Sequence, residues 1–208
     1  MILSRILGRR GREQMPFHGW VVVGLGNPGP DYAGTRHNLG YLVADELAER
    51  MGARWRQAKF GRALVIEGRL AGQPGVRTVL GRAHGYMNES GGPVSALLKF
   101  YKAEPAQLVV VHDELDLPYG DLRVKLGGGD NGHNGLKSVR KSLGTGDYYR
   151  VRVGIGRPPG RQDPAEWVLK PFGATERREL DLHVNRAADA VESLVTAGLE
   201  RTQTAFNT

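Results

Sequence analysis

Val21-Val22-Val23-Gly24-Leu25-Gly26-Asn27-Pro28-Gly29 is the stretch on which the fold turns. Three consecutive valines with no polar alternate read as a strand buried on both faces, the habit of a central parallel strand. A second run, Val109-Val110-Val111, has the same character and ends in His112-Asp113-Glu114-Leu115-Asp116. Further strand-like segments fall near 62–67, 75–80, 121–126 and 148–155, and helical patterns are interleaved with them. The helices are read from apolar stripes: Leu39, Val43, Leu47 and Met51; Val94, Leu97, Leu98 and Tyr101; Leu136, Val139 and Leu143; Leu180, Val184, Ala187, Val191 and Leu194. This alternation predicts an α/β protein, a single-domain three-layer sandwich with a twisted mixed, largely parallel sheet and helices on both faces. Ligands in such sheets sit outside the carboxyl ends of the strands, so the segments after Val23 and Val111 are expected to line one crevice.

Composition narrows the function classes. The net charge is +7 over 208 residues, but Arg5, Arg9, Arg10 and Arg12 supply four of those charges without an acid among residues 1–12, leaving a modest +3 for the rest. Residues 1–17 are read as a disordered basic leader and 18–208 as one domain. No apolar run approaches the length of a membrane helix, so no membrane partner is expected. The absence of cysteine removes disulfides, thiolate metal sites and thiol nucleophiles together, and a reducing, cytoplasmic setting follows as the expectation.

Gly24-Leu25-Gly26-Asn27-Pro28-Gly29 satisfies the dinucleotide-binding glycine pattern, with Asp45 near the spacing of a ribose-binding acid. The mechanism fails, because the third glycine should open a helix, whereas Pro28 and Pro30 flank Gly29 and no apolar stripe begins before Leu39. The glycines instead shape a turn that presents Asn27. Thr35-Arg36-His37-Asn38, between the first strand and first helix, brings a histidine to the same edge, where it can meet Asp113. A carboxylate so placed selects the imidazole tautomer and stabilises the imidazolium. There is no serine-elbow nucleophile, which leaves water as the attacking group. A metal set could be drawn from His112, Asp113, Asp116 and His133, but no metal-binding spacing supports it, and neither metal nor cofactor is expected. His18, His84 and His183 are read as solvated.

Two further features concern binding. Gly127-Gly128-Gly129-Asp130-Asn131-Gly132-His133-Asn134-Gly135 is a glycine-dense loop, which can serve as a mobile gate or let backbone N–H groups approach a bound group closely. Period-two alternation places Arg123 with Lys125, and Arg150 with Arg152, on one strand face each; if the faces coincide, they form a phosphate-sized basic patch.

These strings together resemble a known family. The first glycine turn with Tyr32 and Thr35-Arg36-His37-Asn38, then Tyr86-Met87-Asn88-Glu89-Ser90-Gly91, His112-Asp113-Glu114-Leu115-Asp116-Leu117-Pro118, and Gly132-His133-Asn134-Gly135-Leu136-Lys137-Ser138 are similar to the bacterial peptidyl-tRNA hydrolases, over about residues 20–200. The resemblance implies hydrolysis of the ester between a peptide and the 3′-terminal ribose of tRNA by a monomer without metal or cofactor, recycling peptidyl-tRNA that has dropped off ribosomes. It implies His37 as the base, Asp113 as its orienting acid, and Asn27, Asn88 and Asn134 as amides that hold water and substrate. Tyr32, Tyr86 and His133 fall in the same cleft, and Lys125 and Arg152 on tRNA phosphate. The chain departs from the family before Tyr86, where Arg82-Ala83-His84-Gly85 replaces the usual Lys-Pro-x-Thr, and at its carboxyl end. A non-catalytic RNA-binding relative, such as the plant organelle splicing factors, would keep the fold and patch, but the intact set His37, Asp113, Asn27, Asn88 and Asn134 argues for catalysis.

Overall fold

In the computed structural model, which describes residues 17–207, the valine run is β1 (Trp20–Gly24), and its valines are completely buried. Parallel neighbours flank it on both sides, β4 (Val76–Ala83) and β5 (Leu108–Glu114). This accounts for the missing polar alternate: neither face of β1 meets water. β7 (Tyr149–Gly154) continues the parallel set beyond β5, and the antiparallel β6 (Leu122–Leu126) closes that edge. On the other side β3 (Ala63–Leu70) runs antiparallel to β4, with the short β2 (Arg56–Gln57) outermost. The seven-stranded order is β2-β3-β4-β1-β5-β7-β6.

Alternation along each strand divides the core between two faces. Val22, Val109, Val111 and Val151 pack against α1 (Leu39–Arg50) and α5 (Ala174–Ala197), while Val21, Val23, Leu108 and Val110 pack against α2 (Gly91–Tyr101) and α3 (Asn134–Leu143). The three-layer expectation holds, with a mixed sheet. β1 lies where the chain order switches side, between β4 and β5, and the crevice opens there. Helix α1 is drawn tightly onto this point. A Cβ on Gly40 would press into the Val111 carbonyl oxygen and stand 2.6 Å from that of Leu25.

Two helices lie outside the apolar stripes of the sequence. α4 (Pro164–Val168) is five residues long, too short for an apolar stripe, yet Asp163 caps it by accepting the Ala165 N–H at 2.9 Å, with Pro164 in its first turn. α6 (Leu199–Phe206) follows α5 after Gly198, and Asn207 at its end bonds both backbone groups of Val124, shielding part of the β6 edge. The leader reading falls on residues of which 1–16 lie outside those described. Phe17, assigned to the leader, is buried against Tyr101 and belongs to the fold. His183 is likewise not solvated: it packs edge-on to Tyr119 beneath Gly120. Among the described residues no helix is long and apolar enough to cross a membrane.

Candidate active site

The alternation that sorts the core also aims the polar residues at the end of β5. Asp113 follows Val109 and Val111 on the α1 face, while His112 follows Val110 on the other. His37 sits in a single helical turn (Arg36–Asn38) just ahead of α1, on the face of Asp113. The two meet: His37 Nδ1 lies 2.9 and 3.0 Å from the Asp113 carboxylate oxygens, both residues being buried. His133, at the cap of α3, reaches the same carboxylate from above the sheet edge, Nε2 to Oδ1 at 3.1 Å. Its ring lies 4.9 Å from that of His37 and 4.9 Å from that of His112.

The network assigns the tautomers. His133 Nδ1 accepts the N–H groups of Gly135 and Leu136 at 3.1 and 3.3 Å, so its proton is on Nε2 and is donated to Asp113. The carboxylate has only acceptors to offer, so His37 donates through Nδ1–H, and its Nε2 keeps a free lone pair. Burial alone would lower the His37 pKa; the Asp113 charge and hydrogen bond outweigh it and raise it above 6.5. Burial penalises the Asp113 carboxylate, but the charges and hydrogen bonds of His37 and His133 hold its pKa far below the usual range. Burial, with His133 and Arg150 and against Asp113, pushes the His112 pKa well below 6.5, and its Nδ1–H is spent on the Asp113 carbonyl at 2.7 Å.

Asn27 is fixed at the end of β1 by three bonds. Its N–H donates to Asn38 Oδ1 at 2.7 Å, its carbonyl accepts from Asn38 Nδ2 at 2.9 Å, and its Oδ1 accepts the Met87 N–H at 2.7 Å. The last bond spends the amide oxygen and ties the Tyr86-Met87-Asn88 segment to the site. A cavity of about 350 Å³ opens beside His37, lined also by Asp113, Glu114, Leu115, Asn131, Gly132, His133 and Asn134, and across from them by Arg157, Asp163, Pro164, Ala165 and Val168. Asn88 is exposed and does not line it. It faces an adjoining groove with Lys137 and Ser138, and Asn134 borders both spaces. Tyr32 and Tyr86 meet edge to face with ring centres 6.3 Å apart.

The basic patch is partly as expected. Arg123 stands directly opposite Arg152, and Lys125 opposite Arg150, so the two strand faces coincide. Arg150, however, is fully buried and donates to the carbonyls of Gly128, Gly129 and Gly146. It is a clamp for the glycine-dense loop and not a surface cation. Arg152 pairs with Glu114 at 2.9 Å, and Lys125 is half-buried. Burial, then Arg152 and Arg150, push the Lys125 ammonium below its ordinary pKa. The patch is therefore Arg123, Lys125 and Arg152.

Two other sequence alternatives meet their test here. Asp45 accepts from Trp55 Nε1 and Arg82 at 2.7 Å each and is not turned to a ribose. Gly29, with φ of 101°, precedes a single helical turn and not α1. The metal set drawn from sequence is not gathered, since Asp116 is committed to Arg157 and His112 lies on the opposite face. Among the described residues, the ligand-type atoms that do converge, within 4.8 Å, belong to His37, Asp113 and His133, and they are engaged with one another.

The wall contributed by α4 was not seen in the sequence, nor was its anchor. Arg36, buried beside His37, donates to the carbonyls of Lys170 and Pro171 at 3.2 and 2.8 Å and to Glu176 at 2.6 Å, and its guanidinium stacks 3.6 Å from the Trp167 ring centre. Asp163-Pro164 was the available signal for α4.

Comparison with known proteins agrees with the geometry. A model of the family described as peptidyl-tRNA hydrolase matches residues 21–208. The peptidyl-tRNA hydrolase of Streptomyces coelicolor is 61% identical over 191 residues, covering 90% of this chain and 94% of that protein. That of Frankia alni is 60% identical over 188 residues, with 90% and 93% covered. The crystal structure of peptidyl-tRNA hydrolase from Acinetobacter baumannii superposes with a TM-score of 0.83 at 32% identity, over 94% of this chain and 97% of that one. The chain belongs to the peptidyl-tRNA hydrolase family.

Proposed function

We propose that the protein hydrolyses the ester joining a peptide to the 3′-terminal ribose of tRNA, with His37 as general base. The observation that carries this reading is the hydrogen-bonded pair of His37 Nδ1 and Asp113. It holds the ring in the tautomer whose Nε2 takes a proton from water while the hydroxide formed attacks the ester carbonyl. Collapse of the tetrahedral intermediate expels the ribose oxygen, which recovers the proton from the His37 imidazolium. Asn27, whose amide oxygen is already spent on Met87, has its NH2 to give to substrate, and Asn134 lines the cavity beside His133. We assign donation to the developing oxyanion to these amides. Asn88 is assigned to the peptide's carbonyl and amide groups along the adjoining groove, and Tyr32 and Tyr86, in edge-to-face contact with each other, to substrate binding. His133 is a second donor to Asp113, and Lys125 and Arg152 take tRNA phosphate.

A monomer in the cytoplasm, where its substrate is made, completes the reading. The test is hydrolysis of a purified N-blocked peptidyl-tRNA in ¹⁸O-enriched water, with a free aminoacyl-tRNA as control. Label in the peptide carboxylate and none in the tRNA is expected, with the control resisting cleavage. No hydrolysis, or label in the ribose, contradicts the assignment.

A further inference from the structure

Arg152, assigned above to tRNA phosphate, already has a partner. Its Nε and Nη2 donate to Glu114 Oε2 at 3.0 and 2.9 Å, and the Glu114 carboxylate is almost entirely buried. The same carboxylate accepts the Asp116 N–H at 3.1 Å through Oε1 and the Asn131 side-chain amide at 3.5 Å through Oε2. Asn131 has a positive φ of 47° in the glycine-dense loop, and Asn131, Gly132 and Glu114 all line the cavity that holds His37. One carboxylate thus joins the phosphate cation to the wall of the reaction cavity. An incoming phosphate competes with Glu114 for the same guanidinium fork, and the oxygen of Glu114 that Arg152 gives up is the one that Asn131 also uses.

We propose that Glu114 is a positioning and specificity-determining residue: it holds Arg152 in reserve, and capture of Arg152 by a tRNA phosphate changes the hold of Glu114 on the Asn131–Gly132 wall beside His37. The proposal rests on the assignment of Arg152 to phosphate. It makes hydrolysis responsive to a phosphate-bearing substrate, because the wall of the cavity is set by the same carboxylate that the phosphate displaces.

The experiment measures the affinity of deacylated tRNA against salt, together with kcat on peptidyl-tRNA, for Glu114→Gln, Arg152→Gln and the double variant. Glu114→Gln keeps the shape and removes the charge. It is expected to bind deacylated tRNA severalfold more tightly while turning over peptidyl-tRNA more slowly, a split that simple structural damage does not produce. Arg152→Gln should weaken binding and reduce the salt slope by about one. In its background the gain from Glu114→Gln should vanish. Asp130→Asn removes a carboxylate from the same loop without touching Arg152, and should tighten binding less than half as much. Equal tightening there marks a general charge effect and overturns the proposal. Glu114→Asp, which shortens the reach to Arg152, is the second variant and should act in the same sense if Glu114→Gln fails to fold. If Arg152→Gln leaves affinity unchanged, the phosphate assignment itself fails. If it weakens binding while neither Glu114 variant tightens it, the role of Glu114 alone fails.

Discussion

Asp113→Asn tests how the base is prepared. The carboxylate accepts two ring N–H groups, His37 Nδ1–H at 2.9 and 3.0 Å and His133 Nε2–H at 3.1 Å. His133 has no freedom to adapt, since its Nδ1 is committed to the N–H groups of Gly135 and Leu136. Asparagine offers one oxygen and an NH2. Turning the oxygen toward His133 sets the NH2 against His37, whose relief is to move its proton to Nε2, the nitrogen that must receive water's proton. The expected loss is about 10²–10⁴-fold in kcat, or about 3–6 kcal/mol at ~1.4 kcal/mol per decade. KM should hold within about twofold if the buried Asp113 meets no substrate. The pH profile carries an independent signature. In the wild type Asp113 raises the His37 pKa against the effect of burial, so activity should rise with pH through a value above 6.5. With the charge gone burial is unopposed, and the acid limb of kcat/KM should move to lower pH. Initial rates on N-blocked peptidyl-tRNA between pH 5 and 9 read both. A loss under about tenfold, or an acid limb that stays in place, would refute the tautomer argument.

Three further outcomes are expected. Gly40→Ala forces a methyl against the Val111 and Leu25 carbonyl oxygens and should cost about 1–3 kcal/mol, read as a lower urea midpoint with an unchanged m-value. Arg36→Ala removes the buried post that ties Lys170, Pro171, Glu176 and Trp167 to the residue beside His37. It should destabilise by about 3–5 kcal/mol in thermal unfolding, since the ion pair between buried Arg36 and Glu176 is broken and the Pro171 carbonyl loses its side-chain donor, and Arg36→Lys should recover only part. Lys125→Ala should weaken tRNA binding and lower the salt slope by about one, and an unchanged slope would remove Lys125 from the phosphate patch.

The reach of the sequence differs between the two levels. The valine runs 21–23 and 109–111 disclosed the layered sheet, because strands buried on both faces admit no polar residue, and glycines 24 and 26 with the prolines disclosed a turn in place of a cofactor loop. His37 and Asp113 were legible as a pair because Asp113 ends the second valine strand and the polar loop that carries His37 joins the first to its helix. Strand alternation put Arg123 with Lys125 and Arg150 with Arg152, but that the two faces coincide, and which cations face water, came only from the pairing of β6 with β7. Burial of Arg150 depends on three carbonyls supplied by two loops, and the Glu114 clamp on Arg152 joins residues 38 apart. No local period records such long-range contacts. His112 drops out of the rejected metal alternative for a related reason: adjacent residues on a strand point to opposite faces, so His112 and Asp113 could not both aim at one ion. The cavity wall from α4 escaped because five residues make too little of a stripe, and its anchor, Arg36, reads as an ordinary basic residue until Trp167 and Glu176 are brought to it.

The central claim is that His37 is the group that removes a proton from water. Single-turnover hydrolysis of a peptidyl-tRNA by the wild type and by His37→Ala, with tRNA affinity measured on the same samples, addresses it most directly. The account predicts a loss of about 10²–10⁴-fold in rate with affinity unchanged. Turnover by His37→Ala within a few-fold of the wild type would contradict it.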